Sequence, residues 1–316
     1  MKMQIEIIKC HGSGNEFVMV DLMAIQPITD MAEFTRQICA HRDVEGADGV
    51  LYVVRMGDRY AMRMFNPDGS EAEMCGNGIR CVARLVEERY ISSGEFTLIS
   101  GGSLYPIHRA EDFAEGIKAY GVDIEVRLTS SDFAFAHGAE EFIGQRIPSL
   151  GGKEAFTALN LGNPHIVAAV EDIDMEELVR LGEKVTSEKR DFPRGINVSL
   201  YKKCGDNAIY VATYERGAGI TYSCGTAMTA SSTAAVLLGL CDENQEISVY
   251  NRGGMVKCSC RKDNGRIITR LTGNATYRWR GIAEWQSGEV KSIARTESFD
   301  KECAAYDSFV AELKHR

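Results

Sequence analysis

The pattern of apolar and polar positions in the first half of the chain predicts four strands and two helices. Alternating or continuous apolar residues predict strands at 4–9, 17–20, 50–54 and 60–65. A helix is predicted from Asp30, because Glu33 follows at the spacing of a capping pair and apolar residues then recur on one face. A second helix is predicted after Cys75, where apolar residues recur at helical spacing.

The second half of the chain repeats this order. Strands are predicted at 166–170, 196–201 and 208–214, with a helix from Asp174 and another after Cys224. Asn15 and Asn163 are 148 residues apart, and the two cysteines, each ten residues after an aromatic strand end, are 149 apart. This agreement indicates an internal duplication. We therefore expect an α+β fold of two pseudo-symmetric lobes, with Cys75 and Cys224 meeting across a cleft.

The composition narrows the classes of partner. The chain has 316 residues and a formal net charge of −9, and its basic residues are scattered. Because nucleic acids and anionic membrane surfaces bind basic faces, we expect neither as a partner and expect a small molecule instead. No apolar run reaches membrane-spanning length and residues 1–7 resemble a strand rather than a signal peptide, so we expect a cytoplasmic protein whose ten cysteines are reduced.

Two of the cysteines lie in Cys-Gly turns that open predicted helices. Unpaired N–H groups and the helix dipole lower the pKa of a thiol at such a position and can also hold an anion. Two acid–base groups of one kind on opposite walls of a pocket suit racemisation or epimerisation, because one thiolate removes the α-proton while the other thiol protonates the opposite face. The N–H groups expected to bind the α-carboxylate are those of Gly76, Asn77, Gly225 and Thr226. This chemistry requires neither a metal nor pyridoxal phosphate, and the other eight cysteines are expected to be packing residues.

Five specific motifs are spread through residues 5–282. They are His11-Gly-Ser-Gly-Asn15-Glu-Phe17, Asn66-Pro-Asp-Gly-Ser-Glu-Ala-Glu-Met-Cys75-Gly-Asn-Gly-Ile-Arg-Cys81, Gly162-Asn-Pro-His165, Phe192-Pro-Arg-Gly-Ile-Asn197-Val and Tyr214-Glu-Arg-Gly-Ala-Gly219. At these residues the chain resembles the diaminopimelate epimerase family, whose cofactor-independent enzymes interconvert LL- and meso-diaminopimelate in lysine and cell-wall synthesis.

The resemblance implies a role for each motif. It makes Cys75 and Cys224 the two bases, and it assigns substrate binding to Asn15, Asn66, Asn163, Asn197, Glu215 and Arg216. Arg216 is expected to bind the distal carboxylate and Glu215 to help hold the distal ammonium, in keeping with the chemistry of a guanidinium and a carboxylate. His165 either orients the site or is structural, and a structural role is favoured for His11.

The resemblance also implies an architecture. Each lobe is expected to be a β-barrel-like sheet around a central helix, with the active site in the cleft between the lobes. The N-terminal lobe is expected at 1–122 plus about 274–316, and the C-terminal lobe at 123–273. The oligomeric state is open, with a homodimer as one arrangement. Residues 286–316 extend past the usual family end, and an apolar helical stripe there predicts a docking helix.

Three departures from the family pattern bear on the substrate. Ile220 stands where family members usually carry Glu, Ala227-Met228 replaces a Gly-Ala pair, and the stretch 41–48 is one residue shorter than usual. The leading alternative is therefore a racemase of the same fold acting on another amino acid, such as histidine. A proline racemase-like enzyme is disfavoured because Asn77 stands where those enzymes usually carry His. A third interpretation is a non-catalytic amino-acid-binding protein. The presence of both cysteines argues against it.

Overall fold

The computed structural model describes residues 2–25, 28–72, 74–138 and 140–313. Glu73 of the first cysteine motif lies outside these residues. The helices are α1 (Met31–Ala40), α2 (Gly76–Arg89), α3 (Met175–Ser187), α4 (Gly225–Leu237) and α5 (Asp300–Leu313). No helix of the described residues is long and apolar enough to span a membrane.

The strands make up most of the regular structure. In chain order they are β1 (Lys2–Gly12), β2 (Asn15–Asp21), β3 (Gly49–Met56), β4 (Arg59–Phe65), β5 (Glu71–Ala72), β6 (Glu95–Ser100), β7 (Ser103–Ala110), β8 (Ala119–Val126), β9 (Phe156–Asn160), β10 (Pro164–Ala169), β11 (Asn197–Gly205), β12 (Ala208–Glu215), β13 (Gly219–Thr221), β14 (Ile247–Asn251), β15 (Gly254–Asp263), β16 (Arg266–Asn274), β17 (Thr276–Gln286) and β18 (Glu289–Ser298). The predicted α+β class is confirmed.

The chain divides into two compact units. The first unit is Met1–Val122 with Thr272–Arg316, and the second is Asp123–Leu271. In the first unit β1 pairs antiparallel with β2, β2 runs parallel to β3 across α1, and β3 pairs antiparallel with β4. β4 then pairs antiparallel with β5 and parallel with β6, with α2 as the crossover. The first unit also contains β17, which lies between β1 and β18.

The second unit repeats these pairings in the same order. β9 and β10 are antiparallel, β10 and β11 are parallel across α3, and β11 and β12 are antiparallel. β12 pairs antiparallel with β13 and parallel with β14 across α4. The internal repeat predicted from residue spacing is therefore present in the strand pairing of both units.

The helix starts follow from side-chain caps. The Oδ1 atom of Asp30 accepts the N–H of Glu33 at 2.9 Å, and Oδ1 of Asp174 accepts those of Glu176 and Glu177 at 2.9 and 3.2 Å. Each carboxylate satisfies N–H groups that have no partner inside the helix. Both predicted helix starts are confirmed.

The two helices that follow the cysteine turns are the most buried helices of their units. Residues 76–86 of α2 and 225–235 of α4 are all buried. A helix buried on every side is typical of a core position rather than of a surface. Each unit therefore has a central helix, and a cysteine caps the N-terminus of each.

The C-terminal extension docks on the first unit, as its apolar stripe predicted. Tyr306 of α5 is 6% exposed, and its ring lies 4.5 Å from the imidazole of His11, centroid to centroid. The ring of Phe309 lies 5.9 Å from that of Phe113. Before this helix comes β18, a largely exposed strand that the sequence pattern did not predict.

Candidate active site

Cys75 caps α2 and is the centre of the first cysteine cluster, which we define as Asn15, Cys75, Asn77 and Gly78. Its Sγ accepts the N–H of Gly78 at 3.3 Å, and its carbonyl accepts the N–H of Ile79 at 2.9 Å. The N–H groups of the first two residues of a helix precede this ladder and point beyond the helix start. A glycine is needed at position 78, because a Cβ there would lie only 2.7 Å from Cδ2 of Leu51.

Two asparagine side chains complete the first cysteine cluster. Oδ1 of Asn15 lies 3.8 Å from Sγ of Cys75, and it accepts Nδ2 of Asn77 at 3.3 Å. Asn77 is 1% exposed, so its side chain is held inside the unit. The first unit thus brings together three of the residues that the sequence assigned to the site.

Asn66 occupies a different position. Its Nδ2 donates to Oγ of Ser70 at 3.0 Å, and its N–H donates to the carbonyl of the same residue at 2.8 Å. These contacts place Asn66 in the turn that follows β4. The role of Asn66 in binding substrate stays a prediction.

A buried arginine fixes the start of α2, and sequence reasoning did not assign it a role. Arg80 is fully buried and donates from Nη1 to the carbonyl of Gly76 at 2.8 Å and from Nη2 to Oγ of Ser13 at 3.1 Å. Its Nε donates to the carbonyl of Asn274 at 3.2 Å. The guanidinium therefore ties the first turn of α2 to the loop after β1.

Cys224 caps α4 and is the centre of the second cysteine cluster, which we define as Asn163, His165, Asn197, Cys224 and Thr226. The Oγ1 atom of Thr226 lies 3.5 Å from Sγ of Cys224 and accepts Nδ2 of Asn163 at 3.2 Å. Nε2 of His165 lies 3.0 Å from Oδ1 of Asn163 and 3.1 Å from the Thr226 hydroxyl. Asn197 approaches the same imidazole nitrogen with Nδ2 at 3.5 Å. Thr226 was expected to contribute its backbone N–H, and the structure adds its hydroxyl.

The electrostatics of the second cysteine cluster favour neutral forms. Burial raises the pKa of Cys224 well above its usual value, and the negative charge of Glu215 raises it further, while the Thr226 hydroxyl and the Ala227 N–H oppose this. Burial also lowers the pKa of His165 to about 3, assisted by the positive charge of Arg216. Near neutral pH the cluster therefore holds a thiol and an uncharged imidazole.

Glu215 and Arg216 follow one another at the end of β12, and each is held by a neighbour. Oε1 of Glu215 accepts the hydroxyl of Thr221 at 2.6 Å. The Arg216 N–H donates to Oδ1 of Asn197 at 2.9 Å, and its Nη1 donates to the carbonyl of Arg194 at 3.1 Å. Sequence reasoning did not identify Thr221 or Arg194, because their roles depend on strand pairing and loop position.

A glycine beside Arg216 is required by its surroundings. Gly195 has φ +69°, and a Cβ there would lie 3.0 Å from Cδ of Arg216. The loop before β11 thus supports the aliphatic part of this arginine, because a glycine allows both the close approach and the left-handed backbone.

Two of the three departures from the family pattern lie in the packing of the second unit, and the third, the shortened stretch 41–48, lies in the first unit. Ile220 packs against the apolar core of that unit. Met228 is 1% exposed, and its Sδ lies 3.0 Å from Nδ2 of Asn251. The two histidines also differ: His11 is buried beside Tyr306 as expected of a structural residue, while His165 contacts the second cysteine cluster.

Comparison with known proteins gives the same family over most of the chain. The family model described as diaminopimelate epimerase matches residues 7–114 and 157–278. A diaminopimelate epimerase of Clostridium acetobutylicum is 39% identical over 313 residues, covering 97% of this chain and 94% of the relative. One of Listeria innocua is 35% identical over 322 residues, covering 98% and 97%.

A solved structure shows the same fold at low sequence identity. The phenazine biosynthesis protein of the PhzF family from Bacillus anthracis superposes with a TM-score of 0.64 at 16% identity, covering 90% of this chain and 99% of that one. The family match covers most of the chain and includes both Cys-Gly helix starts. The chain therefore belongs to the diaminopimelate epimerase family, and it is an isomerase.

Proposed function

We propose that the chain interconverts LL- and meso-diaminopimelate by a two-base reaction at one α-carbon. One cysteine thiolate removes the α-proton, the α-carbon becomes a carbanion, and the other thiol delivers a proton to the opposite face. The reverse direction exchanges the two roles, so no net oxidation or proton release occurs. The observation that carries this proposal is the cysteine at the N-terminus of the buried central helix in each unit of a chain of this family.

The two helix starts supply the charge stabilisation that the reaction needs. The α-proton of an amino acid is weakly acidic, so the carbanion forms only if negative charge on the α-carboxylate is stabilised. The backbone N–H groups of Gly76, Asn77, Gly225 and Thr226 belong to the first two residues of α2 and α4. In the proposed reaction they bind the carboxylate, and the reaction calls for no cofactor.

The residues at the end of β12 support the choice of substrate. Diaminopimelate carries a second amino-acid head group, which needs a cation for its carboxylate and an anion for its ammonium. Arg216 and Glu215 provide these charges on adjacent residues, and Asn197 fixes the backbone of Arg216. The packing positions of Ile220 and Met228 give these departures a structural explanation that leaves the charged pair in place.

The proposal extends to partners and location. The substrate is an amino acid, that is, a small molecule. A nucleic acid or membrane partner is not part of the proposal, since the net charge is −9. We place the enzyme in the cytoplasm, where its cysteines, which form no disulfide among the described residues, stay reduced. A homodimer is compatible with this activity.

Proton NMR in D2O tests the function directly. Reduced protein is incubated with LL-diaminopimelate, L-histidine and a panel of other L-amino acids in separate tubes, with no added cofactor. Loss of the α-proton signal and appearance of the meso isomer with diaminopimelate alone is the expected result. If another amino acid exchanges its α-proton instead, the substrate assignment is wrong but the two-thiol reaction stands. Exchange of none would overturn the proposed function and favour an amino-acid-binding role.

A further inference from the structure

Asp48 lies directly behind Asn15 in the first unit. Its Oδ2 accepts Nδ2 of Asn15 at 2.6 Å and the N–H of Glu16 at 2.8 Å. The opposite end of the same amide, Oδ1 of Asn15, faces Sγ of Cys75 at 3.8 Å and accepts Nδ2 of Asn77 at 3.3 Å. One amide therefore connects a carboxylate to the cysteine.

A carboxylate decides which way this amide points. A side-chain amide has a donor end and an acceptor end, whereas an ionised carboxylate only accepts. With Asp48 in place, the NH2 group of Asn15 faces the carboxylate, so the carbonyl oxygen must face Cys75. Water in place of Asp48 could either donate or accept, and it would leave the amide free to turn over.

We propose that Asp48 is a positioning residue that sets the orientation of the Asn15 amide, so that Cys75 meets a hydrogen-bond acceptor rather than a donor. The inference rests on the proposed function of Cys75 as one of the two bases. An acceptor beside Sγ favours the protonated thiol, while an NH2 group there would favour the thiolate. Asp48 would thus set how readily Cys75 gives up its proton.

Strand pairing holds Asp48 in place. β2 and β3 are parallel with Phe17 opposite Gly49, which puts Asp48 beside Glu16. The N–H of Asp48 donates to the Glu16 carbonyl at 2.7 Å, while the Glu16 N–H donates to the Asp48 carboxylate, so the two residues are linked in both directions.

One buried and one exposed positive charge hold Glu16 in turn. Nζ of Lys9, which is 1% exposed, lies 3.1 Å from Oε2 of Glu16 and also donates to the carbonyl of Gly46. Nη1 of Arg278 donates to Oε1 of Glu16 at 2.7 Å. These charged groups come from β1, β2 and β17, and none of the variants used below alters them. A change at Asp48 therefore isolates the effect of the carboxylate on the amide.

The second unit has no matching carboxylate at this position. Ile196 precedes β11 there as Asp48 precedes β3, and Asn163 is held by Thr226 and His165 instead. We therefore expect an effect of Asp48 on Cys75 alone. This asymmetry provides an internal control, because Cys224 is measured in the same sample.

The test is the pH dependence of alkylation by iodoacetamide, followed for Cys75 and Cys224 separately by peptide mass spectrometry on the folded, reduced full chain. The thiolate is the reacting form, so the pH midpoint of labelling reports how readily each thiol ionises. Asp48→Ala removes the acceptor, and Asp48→Asn keeps one oxygen that can accept from both donors. Asp43→Ala is the matched control, because its carboxylate lies by His41 and Arg42 in the same segment.

We expect Asp48→Ala to lower the labelling midpoint of Cys75 by about 0.5 to 1 pH unit, the size expected for exchanging one hydrogen-bond acceptor for a donor. Cys224, Asp48→Asn and Asp43→Ala should stay within about 0.2 unit of the parent. An unchanged Cys75 midpoint in Asp48→Ala would overturn the proposal. An equal shift of the Cys75 midpoint in Asp48→Asn would also overturn it, because the effect would then come from the charge of Asp48. A shift of both cysteines together would overturn it as well, because the effect would then come from loosening of the fold.

This experiment needs no substrate and is independent of which amino acid the enzyme uses. If diaminopimelate is not epimerised but the Cys75 midpoint shifts as expected, the positioning role stands and the substrate assignment fails. If epimerisation is observed and the midpoint does not move, the function stands and Asp48 has another role. A steady-state measurement then adds a second readout, with kcat of Asp48→Ala expected to fall about 10-fold and Asp48→Asn to restore it.

Discussion

Cys75 and Cys224 occupy the same position on their helices but have different neighbours. Sγ of Cys75 accepts an N–H of its own helix at 3.3 Å. Cys224 instead contacts a hydroxyl and lies near the Glu215 carboxylate, and its pKa is raised by burial and by this negative charge. Cys224 therefore remains a thiol at neutral pH, which is the form that the proposed reaction needs for protonating the carbanion.

The first prediction concerns the need for both thiols. Cys75→Ala or Cys224→Ala should lower the rate of epimerisation by about 10²- to 10⁴-fold, the usual contribution of a general acid or base. Both isomers of the product should be quantified by NMR, with circular dichroism as a check of the fold. Cys204→Ala, at an exposed cysteine, is the control and should keep the parental rate. Epimerisation at the parental rate in either Cys75→Ala or Cys224→Ala would contradict the two-base reaction.

A second prediction at this scale follows from the buried imidazole of His165. Its pKa in the folded chain is about 3, lowered mainly by burial, against an ordinary value of 6.5. In the unfolded chain the His165 imidazole binds a proton below pH 6.5, whereas in the folded chain it stays neutral down to about pH 3. The neutral buried imidazole therefore favours folding fully only above pH 6.5. This contribution is lost as pH falls from 6.5 toward 3.

The measurement is the free energy of unfolding in urea at pH 8 and pH 5. Between these values His165 should account for a loss of about 2 kcal/mol, which His165→Asn should abolish. The exposed His137 is the matched control, and His137→Asn should retain the parental loss. An equal pH dependence in the parent and His165→Asn would show that this histidine is not the titrating group.

At the scale of elements, α5 supports the helix that carries Cys75. Arg84 of α2 is 4% exposed, and its Nη2 lies 3.0 Å from Oε2 of Glu302. Its guanidinium also lies 3.6 Å from the centre of the Tyr277 ring. The C-terminal extension thus supplies the counter-charge of an arginine buried in the first unit.

Removing that counter-charge gives the third prediction. Glu302→Ala should lower the free energy of unfolding by about 2–3 kcal/mol, because a buried guanidinium loses a carboxylate although Glu88 still pairs with it. Glu297→Ala breaks the more exposed pair with Arg280 and should cost less than about 1 kcal/mol. Urea unfolding of both variants gives the comparison. Equal costs would mean that α5 is not an important support of this unit.

The elements differ in how clearly the sequence predicts them. α1 and α3 were predicted to begin at Asp30 and Asp174, because capping residues carry a local signal that does not depend on tertiary structure. β18 was not predicted, because it is an edge strand whose side chains are mostly exposed, so the alternation of buried and polar positions is weak. A capping residue therefore predicts the start of a helix more clearly than the alternation of apolar and polar side chains predicts a mostly exposed edge strand.

The same distinction applies to the candidate site. Cys75 and Cys224 could be identified because each begins a helix after a glycine-flanked turn, a pattern that appears twice. Asp48 could not, since its contact with Asn15 depends on the register of two parallel strands, which no local pattern specifies. Side-chain contacts that depend on strand register can be identified only from the three-dimensional structure.

At the scale of the whole molecule, the two units are built on one plan but are chemically different. The strand pairings recur in order, whereas the amide beside each cysteine is held by a carboxylate in the first unit and by a hydroxyl and an imidazole in the second. An enzyme that acts on two faces of one carbon needs an acid–base group on each side, and the two groups need not have identical surroundings. The duplication supplies one cysteine for each side, and the substitutions between the copies give the two cysteines different neighbours.

The last prediction follows from the requirement that both thiols reach the same α-carbon. If they do, we expect the two cysteines to be able to join when no substrate separates them, with their Cα atoms coming to the distance of about 4.4–6.8 Å that is usual for a disulfide. Diamide, which takes up two electrons as the two thiols lose two protons and join, should inactivate the protein, and dithiothreitol should restore it. Mass spectrometry should find Cys75 joined to Cys224, and the Cys204→Ala variant should respond in the same way because the exposed thiol is not involved. Full activity after oxidation, or a disulfide between other cysteines, would contradict the prediction that these two thiols can meet.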